Sequence, residues 1–126
     1  MGQDDKKETG EQRSPPKVAL VGYGYWGTNL ASNLSDLGAL EAIVDSEEAH
    51  RDAARRLYPN TRICDSIDEV LNDTNIPGVV IATPATTHAA ITLQALLAGK
   101  DVFVEKPLAL TLPDGEQLVA EARNQN

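Results

Sequence analysis

The sequence is poor in cysteine, in aromatic residues and in long apolar runs, and each shortage excludes a class of protein. Its single cysteine, Cys64, excludes a disulfide framework within the chain, which favours a reducing compartment and makes the cytoplasm the expected location. No apolar run approaches the roughly 20 residues that a membrane-spanning helix needs, so we expect no membrane partner. Aromatic residues make up only 4% of the 126 residues, so the core must consist of Val, Ile, Leu and Ala.

Positive charge is scarce as well. The chain has 11 Lys and Arg against 19 Asp and Glu, which gives a formal net charge of −8. Such a protein repels a phosphate backbone, so we expect no nucleic-acid partner. A small anionic cofactor stays compatible with this charge, because helix N-termini and loop amides bind phosphate without a basic surface.

Two kinds of segment follow one another along the chain. Residues 1–16 are polar and predict a disordered leader, because such a stretch buries too little surface to offset its ordering entropy. Residues 17–126 alternate short apolar runs with amphipathic runs, in the order βαβαβαβαβα. This alternation predicts one α/β domain with a parallel, doubly wound, Rossmann-type sheet and right-handed crossovers. The predicted strands are 18–21, 42–44, 62–64, 79–82 and 101–104.

The helices between these strands are expected to carry apolar residues on one face and to end at glycine. Gly38 and Gly99 supply the stops of the first and fourth helices. The apolar faces are predicted to comprise Leu30, Ala31, Leu34 and Leu37 in the first helix, and Ile91, Ala95 and Ala98 in the fourth.

A glycine-rich loop, Gly22-Tyr-Gly24-Tyr-Trp-Gly27, directly follows the first strand and opens the first helix. The pattern G-x-G-x-x-G is weak by itself, but this position between strand and helix gives each glycine a physical role. Gly22 permits the tight turn, Gly24 lets the backbone approach a pyrophosphate, and Gly27 lets the helix pack closely on the strand. The pyrophosphate would then lie on the helix N-terminus, where free N–H groups favour anions.

An acidic residue, Asp45, ends the second predicted strand at about the spacing of 20 residues expected for a ribose-binding acid. A carboxylate there accepts hydrogen bonds from both ribose hydroxyls and repels a 2′-phosphate, which favours NAD over NADP. The alternative is that Asp45 merely caps the helix that follows. Ser46 is a rival for that cap.

The aromatic residues concentrate in the glycine loop, which holds Tyr23, Tyr25 and the only tryptophan, Trp26. In one interpretation they pack the loop against the following strands. In the other, one or two of them stack on the cofactor or wall it in. The sequence leaves both interpretations open.

Three further segments follow the later strands. Thr83-Pro84 is typical of a helix cap followed by proline at the first helical position. His88, judged by itself, is more typical of a structural histidine than of a catalyst. Glu105-Lys106-Pro107 lies at the carboxyl end of a predicted parallel strand, where open α/β sheets bind ligands.

Together these segments resemble the Gfo/Idh/MocA family of nicotinamide-dependent enzymes, named for glucose–fructose oxidoreductase and inositol dehydrogenase. The resemblance rests on the glycine loop, Asp45, the run Ala82-Thr-Pro…His88 and the run from Ala98 to Pro107, and covers nearly everything from Lys17 onward. The aromatic loop looks most like members that act on nucleotide sugars, such as UDP-N-acetylglucosamine or UDP-N-acetylglucosaminuronate 3-dehydrogenases.

The resemblance implies roles for individual residues. Lys106 matches the family lysine that contacts the nicotinamide ribose and the reacting sugar hydroxyl, so it is the expected catalytic residue. Pro107, often cis in the family, would aim Lys106 into the site, and Glu105 would join the cofactor-binding residues. Thr83 and Pro84 would line the side of the nicotinamide ribose. His88 would lie beside the site, in a structural or a catalytic role.

Family members continue into a second α/β domain, which supplies most of the substrate pocket and usually the catalytic acid/base. We expect this sequence to lack that domain and therefore to bind NAD with little turnover, its partners being the cofactor and a sugar or nucleotide-sugar substrate. We further expect a homo-oligomer, a Rossmann sheet truncated before its last strand, and no metal. The alternative is a stand-alone nucleotide-binding or redox-sensing module without catalysis. Asp45 and the 105–107 segment disfavour a third option, a CoA-binding domain.

Overall fold

A single parallel sheet organises the chain. The computed structural model describes residues 16–104 and 112–125. Within them, five parallel strands have the spatial order β3-β2-β1-β4-β5. The strands are β1 (Val18–Val21), β2 (Leu40–Val44), β3 (Arg62–Cys64), β4 (Gly78–Ile81) and β5 (Asp101–Val104). The helices are α1 (Tyr25–Asp36), α2 (Glu48–Leu57), α3 (Asp68–Leu71), α4 (His88–Leu97) and α5 (Leu112–Gln125).

Apolar side chains cover both faces of the centre of this sheet, which is why β1 and β4 are continuous apolar runs rather than alternating ones. On one face, Leu20 and Ile43 pack with Ala31 of α1 and Ala54 of α2. On the other face, a second cluster joins strand residues to α3 and α4; it includes Ala19, Val21, Val44, Val70, Ile81 and Ala95. The predicted doubly wound, Rossmann-type fold is therefore confirmed.

The strand order reverses beside β1, which pairs with β2 on one side and with β4 on the other. Val21 lies level with Val44 of β2 and with Ile81 of β4. The carboxyl ends of these three strands therefore share one edge of the sheet. Open parallel sheets bind their ligands at such a reversal.

The predicted apolar faces of α1 and α4 each extend one residue too far. Leu37 follows the last residue of α1 and is 67% exposed, and Ala98 is likewise exposed beyond the end of α4. Each is followed by a glycine of positive φ, +73° at Gly38 and +79° at Gly99. The chain has therefore already left the helix at both positions, which rotates these side chains away from the sheet.

Some predictions concern residues outside the described part of the chain. The leader 1–16 overlaps it only at Pro16, so the predicted disorder stays a prediction. Among the described residues, none of the helices is both long and apolar enough to span a bilayer.

Candidate functional site

A cleft of about 520 Å³ opens at the carboxyl ends of β1, β2 and β4. It collects residues from both sides of the strand reversal, although these are far apart in sequence. Its lining residues are Val21, Gly22, Gly24, Tyr25, Trp26, Val44, Asp45, Ser46, Glu47, His50, Asp65, Ile67, Ala82, Thr83, Pro84, Thr87 and Ile91.

Two of the loop glycines are required by close backbone packing. A Cβ at Gly22, where φ is +104°, would lie 2.9 Å from the backbone of Ala82 and Thr83. A Cβ at Gly27 would overlap the carbonyl oxygen of Gly22. The first turn of α1 therefore rests directly on the loop and the end of β4, which agrees with the tight turn and close helix packing expected from the sequence.

The third glycine, Gly24, faces open space. It is the N-cap of α1, and no side chain caps the first helical amides there. A Cβ at this position would have only one neighbour within 4 Å, the Cε1 atom of His50 at 3.9 Å. Gly24, Tyr25 and Trp26 line the cleft, so the uncapped start of α1 borders it, and helix N-termini of this kind favour anions.

Some aromatic residues of the loop pack it against the rest of the domain, and others face the cleft. Tyr23 is 3% exposed and packs edge-on against Tyr58, with ring centroids 6.4 Å apart. Tyr25 and Trp26 instead are 80% and 65% exposed and contact each other edge-on at 5.0 Å. Tyr23 therefore packs the loop, whereas Tyr25 and Trp26 line the cleft.

Asp45 lies opposite the glycine loop and is bonded to it. Its Oδ2 accepts the N–H of Tyr23 at 2.8 Å and is 2.9 Å from Nδ1 of His50, and its Oδ1 accepts the N–H of Glu47 at 2.8 Å. Burial by itself would raise the pKa of the Asp45 carboxyl. The hydrogen bonds from Glu47, Tyr23 and His50 outweigh burial and lower that pKa below its usual value, so the carboxylate is ionised at neutral pH.

The bond from Glu47 corrects one sequence prediction. Helix α2 begins at Glu48 with Glu47 as its N-cap, and Ser46 makes no cap hydrogen bond. Asp45 receives the Glu47 amide instead, two residues ahead, as aspartates commonly do in turns. The predicted helix cap at Asp45 is therefore wrong, because its carboxylate accepts the amide of the N-cap residue in a turn ahead of α2 and at the same time lines the cleft.

Among the cleft residues that the sequence did not single out, His50 is the one whose side chain contacts the Asp45 carboxylate. It lies in the first turn of α2, five positions after Asp45, and its side chain is 36% exposed. The turn between β2 and α2 directs this side chain back to the end of β2. A histidine in the first helical turn after the acidic residue was the only available signal.

The loop between β4 and α4 forms the other wall of the cleft. In this loop the hydroxyl oxygens of Thr83 and Thr87 lie 2.6 Å apart. The Thr87 hydroxyl also lies 2.6 Å from the Pro84 carbonyl oxygen, to which it can donate a hydrogen bond. His88 is 2% exposed, and its Nε2–H donates to the Thr83 carbonyl at 2.8 Å. The helix cap predicted at Thr83-Pro84 is wrong, because a 3₁₀ turn (Ala85–Thr87) precedes α4.

A second cavity, of about 530 Å³, adjoins the first on the other side of Trp26. The two cavities share Trp26 and the end of β4 with its loop, from Ala82 to Pro84. Asn29 and Leu30 of α1 also line the second cavity, together with Ala85 and His88. A ligand longer than one nucleotide could therefore extend across Trp26 from one cavity to the other.

The segment Glu105-Lys106-Pro107 lies outside the described residues, so its predicted roles stay predictions. Within 16–104 and 112–125, no group of three or more His, Cys, Asp or Glu side chains could hold a metal ion.

The sequence model of the Gfo/Idh/MocA group, described as "Oxidoreductase family, NAD-binding Rossmann fold", matches residues 16–126. The chain belongs to this family. It carries the family's NAD-binding Rossmann domain, so the resemblance, the fold class and the cofactor NAD are confirmed.

Three similar proteins illustrate the family. The chain is 30% identical over 102 residues to scyllo-inositol 2-dehydrogenase (NADP(+)) IolW of Bacillus subtilis strain 168, matching 81% of this chain and 28% of that protein. GenD2 from gentamicin A biosynthesis, solved in complex with NAD, is 31% identical, with a TM-score of 0.81. The match covers 98% of this chain and 35% of the GenD2 chain.

The third is the WlbA dehydrogenase from Bordetella pertussis, solved in complex with NADH and UDP-GlcNAcA. It is 26% identical, with a TM-score of 0.82, and the match covers 90% of this chain and 34% of that one. The chain thus spans about a third of the length of the relatives that it matches.

Proposed function

We propose that this domain binds NAD in the cleft between the glycine loop and Asp45, with the pyrophosphate on the α1 N-terminus and the adenosine ribose on Asp45. The observation that carries this proposal is the 2.8 Å bond from the Tyr23 amide to the Asp45 carboxylate. That bond joins the candidate phosphate loop and the candidate ribose acid into one unit. Preorganised groups of this kind bind without an ordering cost at each event.

The nicotinamide half would extend across Trp26 into the second cavity. Thr83 and Pro84 line both cavities, which supports their role beside the nicotinamide ribose. His88 would act as a positioning residue there, because its ring holds the Thr83 carbonyl from a buried site. Glu105, Lys106 and Pro107 would complete this half on the family pattern, with Lys106 orienting the reacting hydroxyl.

The parent reaction would be the oxidation of a sugar or nucleotide-sugar hydroxyl. NAD⁺ supplies the acceptor for the hydride that leaves the carbinol carbon, while the hydroxyl proton passes to a base and a ketone forms. The inositol and UDP-sugar names of the relatives support this substrate class. In this proposal, the residues present here bind the cofactor and turn over little by themselves, since loss of an acid/base group alone costs about 10²–10⁴-fold in rate.

Fluorescence of Trp26, the only tryptophan, reports on the cleft directly. Titration with NAD⁺ or NADH should give a saturable change, and NADP⁺ should bind more weakly because of the Asp45 charge. Tighter binding of NADP⁺ than of NAD⁺ would contradict the assignment of Asp45 to the adenosine ribose. No response from a folded protein to any of the three would reject the binding proposal.

A pair of carboxylate-to-amide variants sharpens this test. Asp45→Asn should weaken NAD⁺ binding by about tenfold and reduce the preference over NADP⁺, because a charged acceptor is lost. Asp52→Asn is the control, since Asp52 is 51% exposed and pairs with Arg55 on α2. Equal effects of the two substitutions would mean that net charge, not ribose contact, governs binding.

A further inference from the structure

The Asp45 carboxylate already accepts hydrogen bonds at most of its acceptor positions without a ligand. A carboxylate offers about four lone-pair positions, two on each oxygen. Tyr23 and His50 use both positions on Oδ2, and Glu47 uses one on Oδ1. One position therefore stays available among these contacts, whereas the two hydroxyls of a ribose need two.

Of the three donors, only His50 can leave. The Tyr23 and Glu47 amides belong to the backbone of the glycine loop and of the α2 N-cap. His50 is bonded through its side chain, which is 36% exposed and lines the cleft. Rotation of one side chain releases the second position on Oδ2, and no backbone bond breaks.

The surroundings of His50 allow this movement. The Glu47 carboxylate lies 3.9 Å from its Nε2, and Asp65 lines the same cleft. The Arg51 guanidinium is held on the Asp45 carbonyl at 3.0 Å, so it does not replace His50 on the carboxylate. Across the cleft, even a Cβ placed at Gly24 would lie 3.9 Å from the Cε1 atom of the ring.

We propose that His50 is a specificity-determining residue that competes with the cofactor ribose for Asp45 and must turn away when both hydroxyls bind. This inference rests on the proposed binding of the adenosine ribose at Asp45. One hydroxyl takes the available position on Oδ1, and the second exchanges with His50 on Oδ2. The exchange replaces one hydrogen bond by another, so the second hydroxyl adds little net affinity in the natural sequence.

Removing His50 changes that balance. In His50→Ala, Oδ2 has an unused position, and the second hydroxyl gains a charge-assisted bond without losing one. Such bonds are worth about a tenfold difference in affinity. The readout is therefore the ratio of affinities for two ligands that differ by one hydroxyl, which a merely structural role of His50 would leave unchanged.

The experiment is calorimetric titration of the 126-residue chain with ADP and with 2′-deoxy-ADP, at fixed pH and salt. The natural sequence should bind the two ligands within about twofold, and His50→Ala should prefer ADP by about tenfold. His50→Gln, which keeps a side-chain donor, should restore a ratio near that of the natural sequence. Circular dichroism confirms that each variant is folded.

Each contrary outcome has a distinct meaning. An ADP preference that is the same in His50→Ala and in the natural sequence overturns the competition, while NAD binding stands. Equal weakening of both ligands in His50→Ala assigns His50 a direct ligand contact and also overturns it. Failure of the folded natural chain to bind ADP and NAD⁺ at all rejects the proposed function itself.

Discussion

The two walls of the cleft are built differently. The glycine loop depends on backbone packed against backbone. A Cβ at Gly22 or at Gly27 would come too close to neighbouring backbone atoms. The opposite loop, from Thr83 to His88, depends on side-chain hydrogen bonds instead. At Gly22 and Gly27 the first wall has no room for an added Cβ, whereas the second wall can be altered one hydrogen bond at a time.

The largest effect that this comparison predicts is that of Gly27→Ala. Its Cβ would overlap the Gly22 carbonyl oxygen, which is backbone and cannot rotate away. We expect a loss of about 3 kcal/mol in the free energy of unfolding, at the upper end for overpacking. Urea denaturation measures it.

Gly24→Ala is the matched control for that substitution. Its Cβ meets only His50 Cε1 at 3.9 Å, so stability should change by less than about 1 kcal/mol while NAD⁺ binding weakens. If the two alanine variants were equally stable, the distinction between the glycines would be lost.

An intermediate effect is expected on the second wall. His88→Ala leaves the Thr83 carbonyl without its 2.8 Å donor and opens space at a buried site, which should cost about 2 kcal/mol in the free energy of unfolding. His88→Gln keeps a donor and should recover part of that loss. A full loss in His88→Gln as well would show that ring packing, not the hydrogen bond, stabilises this loop.

The smallest effect is the acid sensitivity of the link between Asp45 and the first wall. The folded-state pKa of Asp45 is lowered, so its bonds stabilise the fold above the unfolded-state pKa of about 3.9. That stability is lost as the pH falls through the folded-state pKa. Free energies of unfolding measured from about pH 6 down to pH 3 should therefore fall less steeply in Asp45→Asn than in Asp52→Asn. The same pH dependence in both variants would contradict a stabilising role of the ionised Asp45 carboxylate.

The sequence predicted the first wall better than the second. Gly22, Gly27 and Asp45 follow a fixed spacing, because a strand, a tight turn and a helix leave little geometric freedom. The β4–α4 loop is held by side-chain bonds between residues four or five apart, which no spacing rule anticipates. The 3₁₀ turn there displaced the start of α4 from the position that Thr83-Pro84 had suggested.

Local competition explains the other differences. Ser46 and Asp45 are both good caps, and only the folded turn reveals that Asp45 takes the Glu47 amide. Tyr23 and Trp26 are close in sequence, yet the start of α1 directs one ring into the core and the other into the cleft. His50 was missed because its role depends on which way the first turn of α2 faces.

A crystal structure of the chain with NAD⁺ tests the central claim most directly. We expect the pyrophosphate within hydrogen-bond distance of the first amides of α1, beside Gly24, and both adenosine ribose hydroxyls on the Asp45 carboxylate. The dinucleotide bound elsewhere, or bound here with no ribose contact to Asp45, would contradict it.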